Sequence, residues 1–363
     1  MKILHVITSL SMGGAEKLMV DLIPRFMAMG IDCDLLTFDG TITPFRKSLE
    51  EASVKVFDFG KGTRPYSVKN IPRLVSFFKN YDIIHTHNTA PQLFAAISSL
   101  LCSVVLVTTE HNTSNRRRSW KWYTPIDRWM YNRYEKIICI SDKTQEHLLN
   151  YLPNLRPEVQ TIFNGIPIDV YRDAEPDSMI NEAFGGFVRI FMVAGFRYQK
   201  DQPTAINSLK FLPANYHLFL VGDGPECNKC QQLVNEQNLS ERVHFLGKRS
   251  DVASLLKSAD ICVISSHWEG FGLAAVEGMA AGKPVVASNI PGVAEVVRDA
   301  GILFDQGNAQ DLANKLRLLI NDHILYSNTV KKCQVRATQY SIDKMAESYF
   351  DVYKDLLCKK NEY

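Results

Sequence analysis

The stretch DICVISSHWEGFGLAAVEGMAAGKPVVASNIPGV, from Asp260 to Val293, decides how the chain folds. It predicts a buried strand at 261–264, a loop, a short helix, a second strand at 285–287, and a turn that contains Pro291 and Gly292. Continuous apolar runs bounded by turn residues are typical of a parallel sheet with both faces covered. Ligands bind such sheets beyond the carboxyl ends of the strands, so the loop between strand and helix is the candidate site.

This loop has the composition of an anion-binding site. Gly270 and Gly272 let the backbone approach a ligand closely, and the first N–H groups of the next helix carry the positive end of its dipole. A diphosphate at the amides of Gly272 and Leu273 would lie between Glu269 on one side and Glu277 on the other. Taken singly, a helix cap explains Glu269 and a solvated helix position explains Glu277 as well.

The sequence EGFGL at 269–273, followed by Glu277 after a seven-residue gap, resembles the EX7E motif of glycosyltransferase family 4. The flanking segments SADICVISS, AAGKPVVAS and PGVAEVV also resemble this family of retaining, GT-B-fold enzymes. The resemblance implies a nucleotide-sugar donor, with Glu269 beside the transferred hexose and Glu277 beside the ribose. The donor-binding residues it implies in this stretch are Gly270, Phe271, Gly272, Leu273 and Glu277.

Length and charge restrict the class of protein. The chain has 363 residues, of which 46% are hydrophobic, and a formal charge of +2. This length is sufficient for two domains that each bury a core. The near-neutral charge argues against a general nucleic-acid binder. Strands that alternate with helical segments predict the α/β class.

The resemblance implies the GT-B fold, in which two Rossmann-like domains face an interdomain cleft. The turn-rich sequence NGIPID and the polar segment after it indicate a domain boundary. We therefore expect an acceptor-side domain at 1–165 and a nucleotide-sugar-binding domain at 166–340. A terminal helix at 341–363 is expected to cross back to the first domain.

The first residues, MKILHVITSLSMGGAEK, predict a strand and a glycine loop better than a signal peptide. No apolar run approaches the length needed to span a bilayer. We expect a cytoplasmic protein, either free or peripheral at the inner face of the cell membrane. Of the eight cysteines, Cys227 and Cys230 form a CxxC, but no second pair follows at metal-ligand spacing. No metal and no cofactor are expected.

Gly13 and Gly14 lie between the first predicted strand and a helix. A tight turn explains one glycine, whereas two are needed when a ligand approaches the backbone. In the family that the chain resembles, this loop contacts the donor diphosphate, which implies that role for both glycines.

Histidines lie at or just after the carboxyl ends of two predicted strands in the first half of the chain. On the strand at 82–87 we expect the rings of His85 and His87 on opposite faces, which argues against a metal pair and leaves His87 as an acceptor contact or a structural residue. His111 follows the strand at 104–109, where a side chain reaches the ligand-binding end of the sheet. A neutral histidine that stabilises its own loop is the alternative. The sequence TEHN resembles the family and implies an active-site position for His111.

The segment from Asn115 to Lys136 has the strongest local charge bias, with seven basic and two acidic side chains interleaved with aromatic ones. Such a segment is typical of a membrane interface or of a site for an anionic, lipid-linked acceptor. A helix with buried aromatics and solvated arginines explains it equally. The acceptor-side residues predicted here are Arg116, Arg117, Arg118 and Trp120.

In the second half, a strand at 188–194 precedes Arg197 and Lys200. Two cations at a strand end could neutralise a departing diphosphate without a metal, although isolated surface charges explain them too. The resemblance implies this catalytic role for both. The family's common pattern places the arginine directly after the glycine, whereas here Phe196 intervenes.

Two further elements complete the second half. A strand at 243–247 precedes Arg249, which in the resembling family lies beside the nucleobase; a helix start capped by Ser250 is the alternative. A helix is predicted at 309–321. The last helix has an apolar stripe formed by Met345, Tyr349, Val352, Tyr353 and Leu356.

The resemblance therefore implies a retaining, metal-independent glycosyltransferase, with catalytic residues His111, Arg197, Lys200 and Glu269. The resemblance implies transfer of a hexose or N-acetylhexosamine from a UDP-linked donor to a glycan or lipid-linked acceptor in bacterial surface polysaccharide or glycolipid synthesis. A non-catalytic nucleotide-sugar-binding protein is one alternative. A nicotinamide-dependent oxidoreductase is another, although no complete GxGxxG follows the first strand.

Overall fold

The structure is a computed structural model that describes residues 1–11, 13–111 and 120–361. The chain divides into two compact units, Met1–Gly165 with Ile342–Tyr363, and Ile166–Ser341. Each unit contains one sheet, and every strand pairing within the described residues is parallel.

The first sheet has seven strands in the order β3-β2-β1-β4-β5-β6-β7. Its strands are β1 (Lys2–Ile7), β2 (Asp32–Thr37), β3 (Val56–Asp58), β4 (Ile83–His87), β5 (Val105–Glu110), β6 (Lys136–Cys139) and β7 (Glu158–Thr161). The helices between them are α1 (Gly14–Ala28), α2 (Pro44–Glu51), α3 (Asn70–Phe78), α4 (Thr89–Ser98), α5 (Thr124–Tyr131) and α6 (Asp142–Tyr151).

Both faces of the first sheet are covered, which explains why its strands are continuously apolar. Side chains alternate between faces along a strand. Ile3 and Ile7 of β1 belong to one buried cluster, whereas Leu4 and Val6 belong to another.

The second sheet has six strands in the order β10-β9-β8-β11-β12-β13. Its strands are β8 (Val188–Val193), β9 (Tyr216–Val221), β10 (Val243–Gly247), β11 (Ile261–Ile264), β12 (Val285–Ser288) and β13 (Ile302–Phe304). The helices of this unit are α7 (Ile168–Arg172), α8 (Ser178–Phe184), α9 (Gln202–Ser208), α10 (Cys227–Glu236), α11 (Val252–Ser258), α12 (Leu273–Ala280), α13 (Val293–Val297), α14 (Ala309–Asn321) and α15 (His323–Ala337).

Each sheet reverses its strand order once, between β1 and β4 in the first and between β8 and β11 in the second. At such a reversal the connections leave in opposite directions, which opens a crevice beyond the carboxyl ends of the two strands. The segments that follow β1, β4, β8 and β11 are therefore candidate ligand-binding segments.

The last helix, α16 (Ile342–Asn361), packs in the core of the first unit. Its buried stripe contains Met345, Tyr349 and Tyr353, as the apolar spacing predicts. The second unit ends just before it, where Ile166 pairs with Ser341 in a parallel bridge. In the described part of the chain, no helix combines the length and apolar character that crossing a bilayer requires.

Candidate active site

The loops after β8 and β11 form one connected surface in the second unit. The Oγ of Ser265 donates a hydrogen bond to the carbonyl of Asp201 at 2.8 Å. The backbone N–H of His267 donates to the carbonyl of Gln199, also at 2.8 Å. Because β8 and β11 are neighbours, residues far apart in sequence meet at their carboxyl ends.

Glu269 and Lys200 are direct neighbours on this surface. The Nζ of Lys200 lies 2.5 Å from Oε1 of Glu269, and the same oxygen accepts a hydrogen bond from the Oγ of Ser266 at 2.8 Å. The Glu269 side chain is only 11% exposed and that of Lys200 is 26% exposed. A partly desolvated cation therefore lies beside an oriented carboxylate.

Arg197, the other predicted cation, is placed differently. It is exposed and lies just before a short 3-10 turn at Tyr198–Lys200. No hydrogen bond or ion pair of its guanidinium is found among the described residues. The structure thus brings Lys200, but not Arg197, into contact with Glu269.

The helix α12 begins directly after Gly272, which has a φ of +94°. A Cβ at this position would lie 2.9 Å from Cγ2 of Val293, so both backbone conformation and space require glycine. The first N–H groups of α12 start here, as the sequence predicts. The Phe271 side chain is buried and meets the ring of Tyr340 edge-on at 5.1 Å, so a donor could contact only the backbone of Phe271.

Glu277 lies on α12 and is partly exposed. Its Oε1 accepts a hydrogen bond from the hydroxyl of Tyr171 at 2.8 Å. No pattern in the sequence points to Tyr171, which lies on α7 more than 100 residues earlier. This contact orients Oε1 of the carboxylate.

Arg249 forms an ion pair with Asp251 at 2.5 Å and lies 3.5 Å from Asp177. Its side chain is about one-third exposed. The alternative that Ser250 caps the following helix is wrong, because Asp251 occupies the N-cap position of α11 and makes no side-chain capping bond. The guanidinium of Arg249 is thus held by two carboxylates, and the role beside the nucleobase stays a prediction.

In the first unit, Gly14 is the first residue of α1 and Gly13 is its extended N-cap, with a φ of −164°. A Cβ on Gly14 would meet no atom within 4 Å. Neither backbone strain nor crowding within the protein explains the glycine at this position.

We expect Gly14→Ala to leave the free energy of unfolding equal or up to about 1 kcal/mol higher, because alanine favours a helix over glycine. If a ligand approaches this backbone, turnover should nevertheless fall by about ten- to a hundredfold, since small misplacements of a substrate are costly. Thermal unfolding and a transfer assay measure the two effects. Gly186→Ala is the matched control, because its Cβ also meets no atom within 4 Å. Normal turnover in Gly14→Ala would contradict a ligand at this loop.

The prediction that His85 and His87 face opposite sides is wrong. Residues two apart on a strand share a face, and the two ring centroids are 4.6 Å apart. Both side chains are fully buried. Within the described residues, His5, His85 and His87 offer ring nitrogens that lie within 4.8 Å of one another.

His111 follows β5 and is partly exposed. Its Nε2 lies 2.9 Å from Nδ1 of His87, so His87 lies behind His111 instead of at the surface as an acceptor contact. Burial lowers the pKa of His111 to about 4 and that of His87 well below its ordinary value. Both rings are therefore neutral near pH 7.

The structure describes only part of the predicted acceptor segment, because Arg116, Arg117 and Arg118 lie outside the described residues. Trp120 is 44% exposed and stacks on Trp122, which is 67% exposed, with ring centroids 5.8 Å apart. These two rings form an exposed aromatic surface next to α5. The alternative of buried aromatics does not hold for this pair.

A large cavity of the first unit lies away from the predicted site residues. It has a volume of 720 Å³ and opens where β5, β6 and β7 begin, beside α16. None of the predicted site residues lines it. Its position at the amino ends of the strands is opposite to the end where parallel sheets bind ligands.

Comparison with known proteins covers both units. A family model described as glycosyl transferases group 1 matches residues 174–336, and one described as Glycosyltransferase Family 4 matches residues 12–170. An uncharacterized glycosyltransferase of Methanocaldococcus jannaschii is 30% identical over 292 residues, which cover 76% of each chain. A UDP-Gal:alpha-D-GlcNAc-diphosphoundecaprenol alpha-1,3-galactosyltransferase of Escherichia coli is 26% identical and covers 81% of each chain.

Solved structures show the same fold. The crystal structure of Anabaena HepE in complex with UDP matches with a TM-score of 0.86 at 24% identity, and covers 98% of this chain and all of the other. A sucrose-phosphate synthase of Thermosynechococcus elongatus matches with a TM-score of 0.80 at 19% identity, and covers 99% of this chain and all of the other. The two Rossmann-like units are those of the GT-B fold.

Proposed function

This chain belongs to glycosyltransferase family 4, and from that premise we propose that it transfers a hexose or N-acetylhexosamine from a UDP-sugar with retention of configuration. The contact of Lys200 with Glu269 next to the start of α12 carries the proposal. A phosphate at the first amides of α12 would have a cation and a carboxylate on one side. Glu277, oriented by Tyr171, would bind the ribose.

In the proposed reaction, the bond between the anomeric carbon and the phosphate oxygen breaks, and a bond to the acceptor oxygen forms on the same face of the sugar. The acceptor proton passes to the departing phosphate oxygen. Charge develops on that oxygen and on the anomeric carbon as the transition state becomes oxocarbenium-like. Lys200 and the amides of α12 would stabilise the phosphate without a metal, and Glu269 would stabilise the sugar cation.

We propose a glycan or lipid-linked glycan as the acceptor, in surface polysaccharide or glycolipid synthesis. The exposed rings of Trp120 and Trp122 support this, because aromatic side chains suit both sugar faces and membrane interfaces. The name of the Escherichia coli relative describes a lipid diphosphate acceptor. A peripheral position at a membrane would bring the enzyme to such an acceptor.

A thermal-shift panel of nucleotides and nucleotide sugars with EDTA present tests the proposal, since a ligand of the folded state raises its melting temperature. We expect a selective shift with UDP and one UDP-sugar, followed by transfer to a glycan or lipid-linked acceptor with the anomeric configuration unchanged by NMR. A shift only with NAD, or only with magnesium restored, would reject the donor or the metal-free mechanism. Donor binding without transfer would favour a binding protein.

A further inference from the structure

Three neighbouring strands of the first sheet bring histidine rings into a row. His5 lies on β1, His87 on β4 and His111 just after β5. The Nδ1 of His5 is 2.9 Å from Nε2 of His87, and the Nδ1 of His87 is 2.9 Å from Nε2 of His111. Both nitrogens of the middle ring are thus engaged.

The two ends of the row differ. The inner end is the Nε2 of His5, which is buried and has no hydrogen-bond partner. The outer end is the Nδ1 of His111, which no hydrogen bond engages within the described residues. Since His111 is the partly exposed ring, its Nδ1 is the nitrogen that remains for a ligand.

No positive charge is expected on this row near neutral pH. Burial lowers the pKa of His5 to about 3 and that of His111 to about 4, and that of His87 falls well below its ordinary value. Each neutral ring carries one N–H, on either of its two nitrogens. Three protons must therefore be distributed over six nitrogens.

Two hydrogen bonds between three neutral rings leave only two arrangements. In the first, His5 donates to His87 and His87 donates to His111, so that His111 carries its proton on Nδ1. In the second, His111 donates to His87 and His87 donates to His5, so that the proton of His5 is on its Nε2. The second arrangement buries an N–H without an acceptor.

The surroundings of His5 favour the first arrangement. Buried N–H groups without a partner are rarer in folded proteins than acceptors without one. An aromatic face could serve as a weak acceptor, but the rings of Phe26 and His85 lie nearly parallel to that of His5, at 22° and 26°. An N–H in the plane of His5 points to neither of these faces.

We propose that His87 is a positioning residue that holds His111 as its neutral Nδ1–H tautomer. His5, which donates to His87, fixes the direction in which both hydrogen bonds of the row donate. His111 then donates a hydrogen bond to an oxygen of its ligand and does not act as a base. That the ligand is a donor sugar or acceptor hydroxyl rests on the proposed function, whereas the tautomer does not. His85 stays outside the row, because its nitrogens bond Tyr353 at 2.5 Å and Thr109 at 2.7 Å.

The tautomer can be measured without any substrate. In protein labelled with ¹⁵N-histidine, long-range ¹H–¹⁵N correlation distinguishes Nδ1–H, Nε2–H and doubly protonated rings. We expect His111 to show a protonated Nδ1 and a bare Nε2 from pH 6 to 8. An Nε2–H or cationic His111 would overturn the inference. Stoichiometric zinc in the purified protein would also overturn it, because metal ligation would replace these hydrogen bonds.

Variants of His87 test its positioning role. His87→Phe removes the donor to Nε2 of His111, so both tautomers of His111 should be populated and turnover should fall by about tenfold or more. His87→Asn offers an amide N–H near the position of the ring Nδ1–H, and should restore both the tautomer and most of the turnover. An unchanged His111 tautomer in His87→Phe would contradict the proposal.

The second unit offers a matched control. There the Nδ1 of His217 is 3.0 Å from Nε2 of His244, the same type of contact between two rings. His217→Phe should change neither the His111 spectrum nor turnover. If His87→Phe fails to fold, the spectrum of the unmodified protein still decides the tautomer. A protein that shows the Nδ1–H form of His111 but no thermal shift with any nucleotide would retain this inference and lose the proposed function.

Discussion

Replacing Lys200 with methionine is expected to lower turnover by about a hundred- to a thousandfold, the usual loss for one preorganised group that stabilises developing charge. The ammonium group lies 2.5 Å from Glu269 and is only 26% exposed. Two charges interact more strongly in such a partly desolvated environment than in water. The affinity for UDP should fall by a smaller factor than turnover, because the charge on the phosphate grows during transfer.

The same substitution also leaves Glu269 without its cation. The carboxylate is 11% exposed and keeps one hydrogen bond, from Ser266. We therefore expect a loss of about 1 to 3 kcal/mol in the free energy of unfolding, the cost of leaving a buried acceptor poorly satisfied. The double variant Lys200→Met with Glu269→Gln should recover much of this stability but none of the turnover. Denaturant unfolding and a transfer assay measure the two quantities.

The other end of the same two strands supplies a control. Arg189 of β8 binds Asp260, which precedes β11, at 2.9 and 3.1 Å with side chains 17% and 28% exposed. Arg189→Met should destabilise the protein to a similar degree and leave turnover nearly normal. If Lys200→Met and Arg189→Met lowered turnover equally, the effect of Lys200 would be structural and its catalytic assignment would fail.

The regular elements are predictable from the sequence where apolar runs are continuous. The strands Val243–Gly247 and Ile261–Ile264 and the helix Ala309–Asn321 have the predicted bounds. Helix α15 was not predicted. Its buried residues are only Thr329, Cys333 and Ala337, all small and four apart, which gives a weak hydrophobic signal although the helix packs on α12.

The candidate site was predictable only as far as each residue carries its own signal. Glycines and charged residues after a strand can be read from the sequence, and so could Ser266, which follows β11. Tyr171 could not, because its role depends on a contact with Glu277 across 106 positions. The row of His5, His87 and His111 depends on strand order, which the sequence did not supply, and the error about the faces of His85 and His87 concealed part of it.

Replacing Glu277 with alanine is expected to weaken UDP binding by about ten- to a hundredfold. Hydrogen bonds to a charged group contribute about 1.5 to 3 kcal/mol, and each 1.4 kcal/mol is tenfold in affinity. Glu277 is partly exposed on α12, and the hydroxyl of Tyr171 orients its Oε1 at 2.8 Å. Isothermal titration with UDP measures the loss directly.

A ribose contact differs from a contact at the reacting carbon in how it affects turnover. Removing an interaction that is made equally in the ground state and the transition state raises KM and leaves kcat unchanged. We therefore expect Glu277→Ala to raise KM for the donor with a nearly normal kcat, opposite to Lys200→Met. Tyr171→Phe removes the orienting hydrogen bond to Glu277 and keeps the carboxylate, so it should weaken UDP binding by less than about tenfold.

Glu236 on α10 is exposed and serves as the matched control for the loss of a glutamate. Glu236→Ala should bind UDP as the unmodified protein does. If Glu277→Ala also bound UDP normally, the ribose would lie elsewhere. If instead kcat fell while the affinity for UDP stayed the same, Glu277 would act on the transferred sugar, and Glu269 and Glu277 would have to exchange roles around the phosphate at the start of α12.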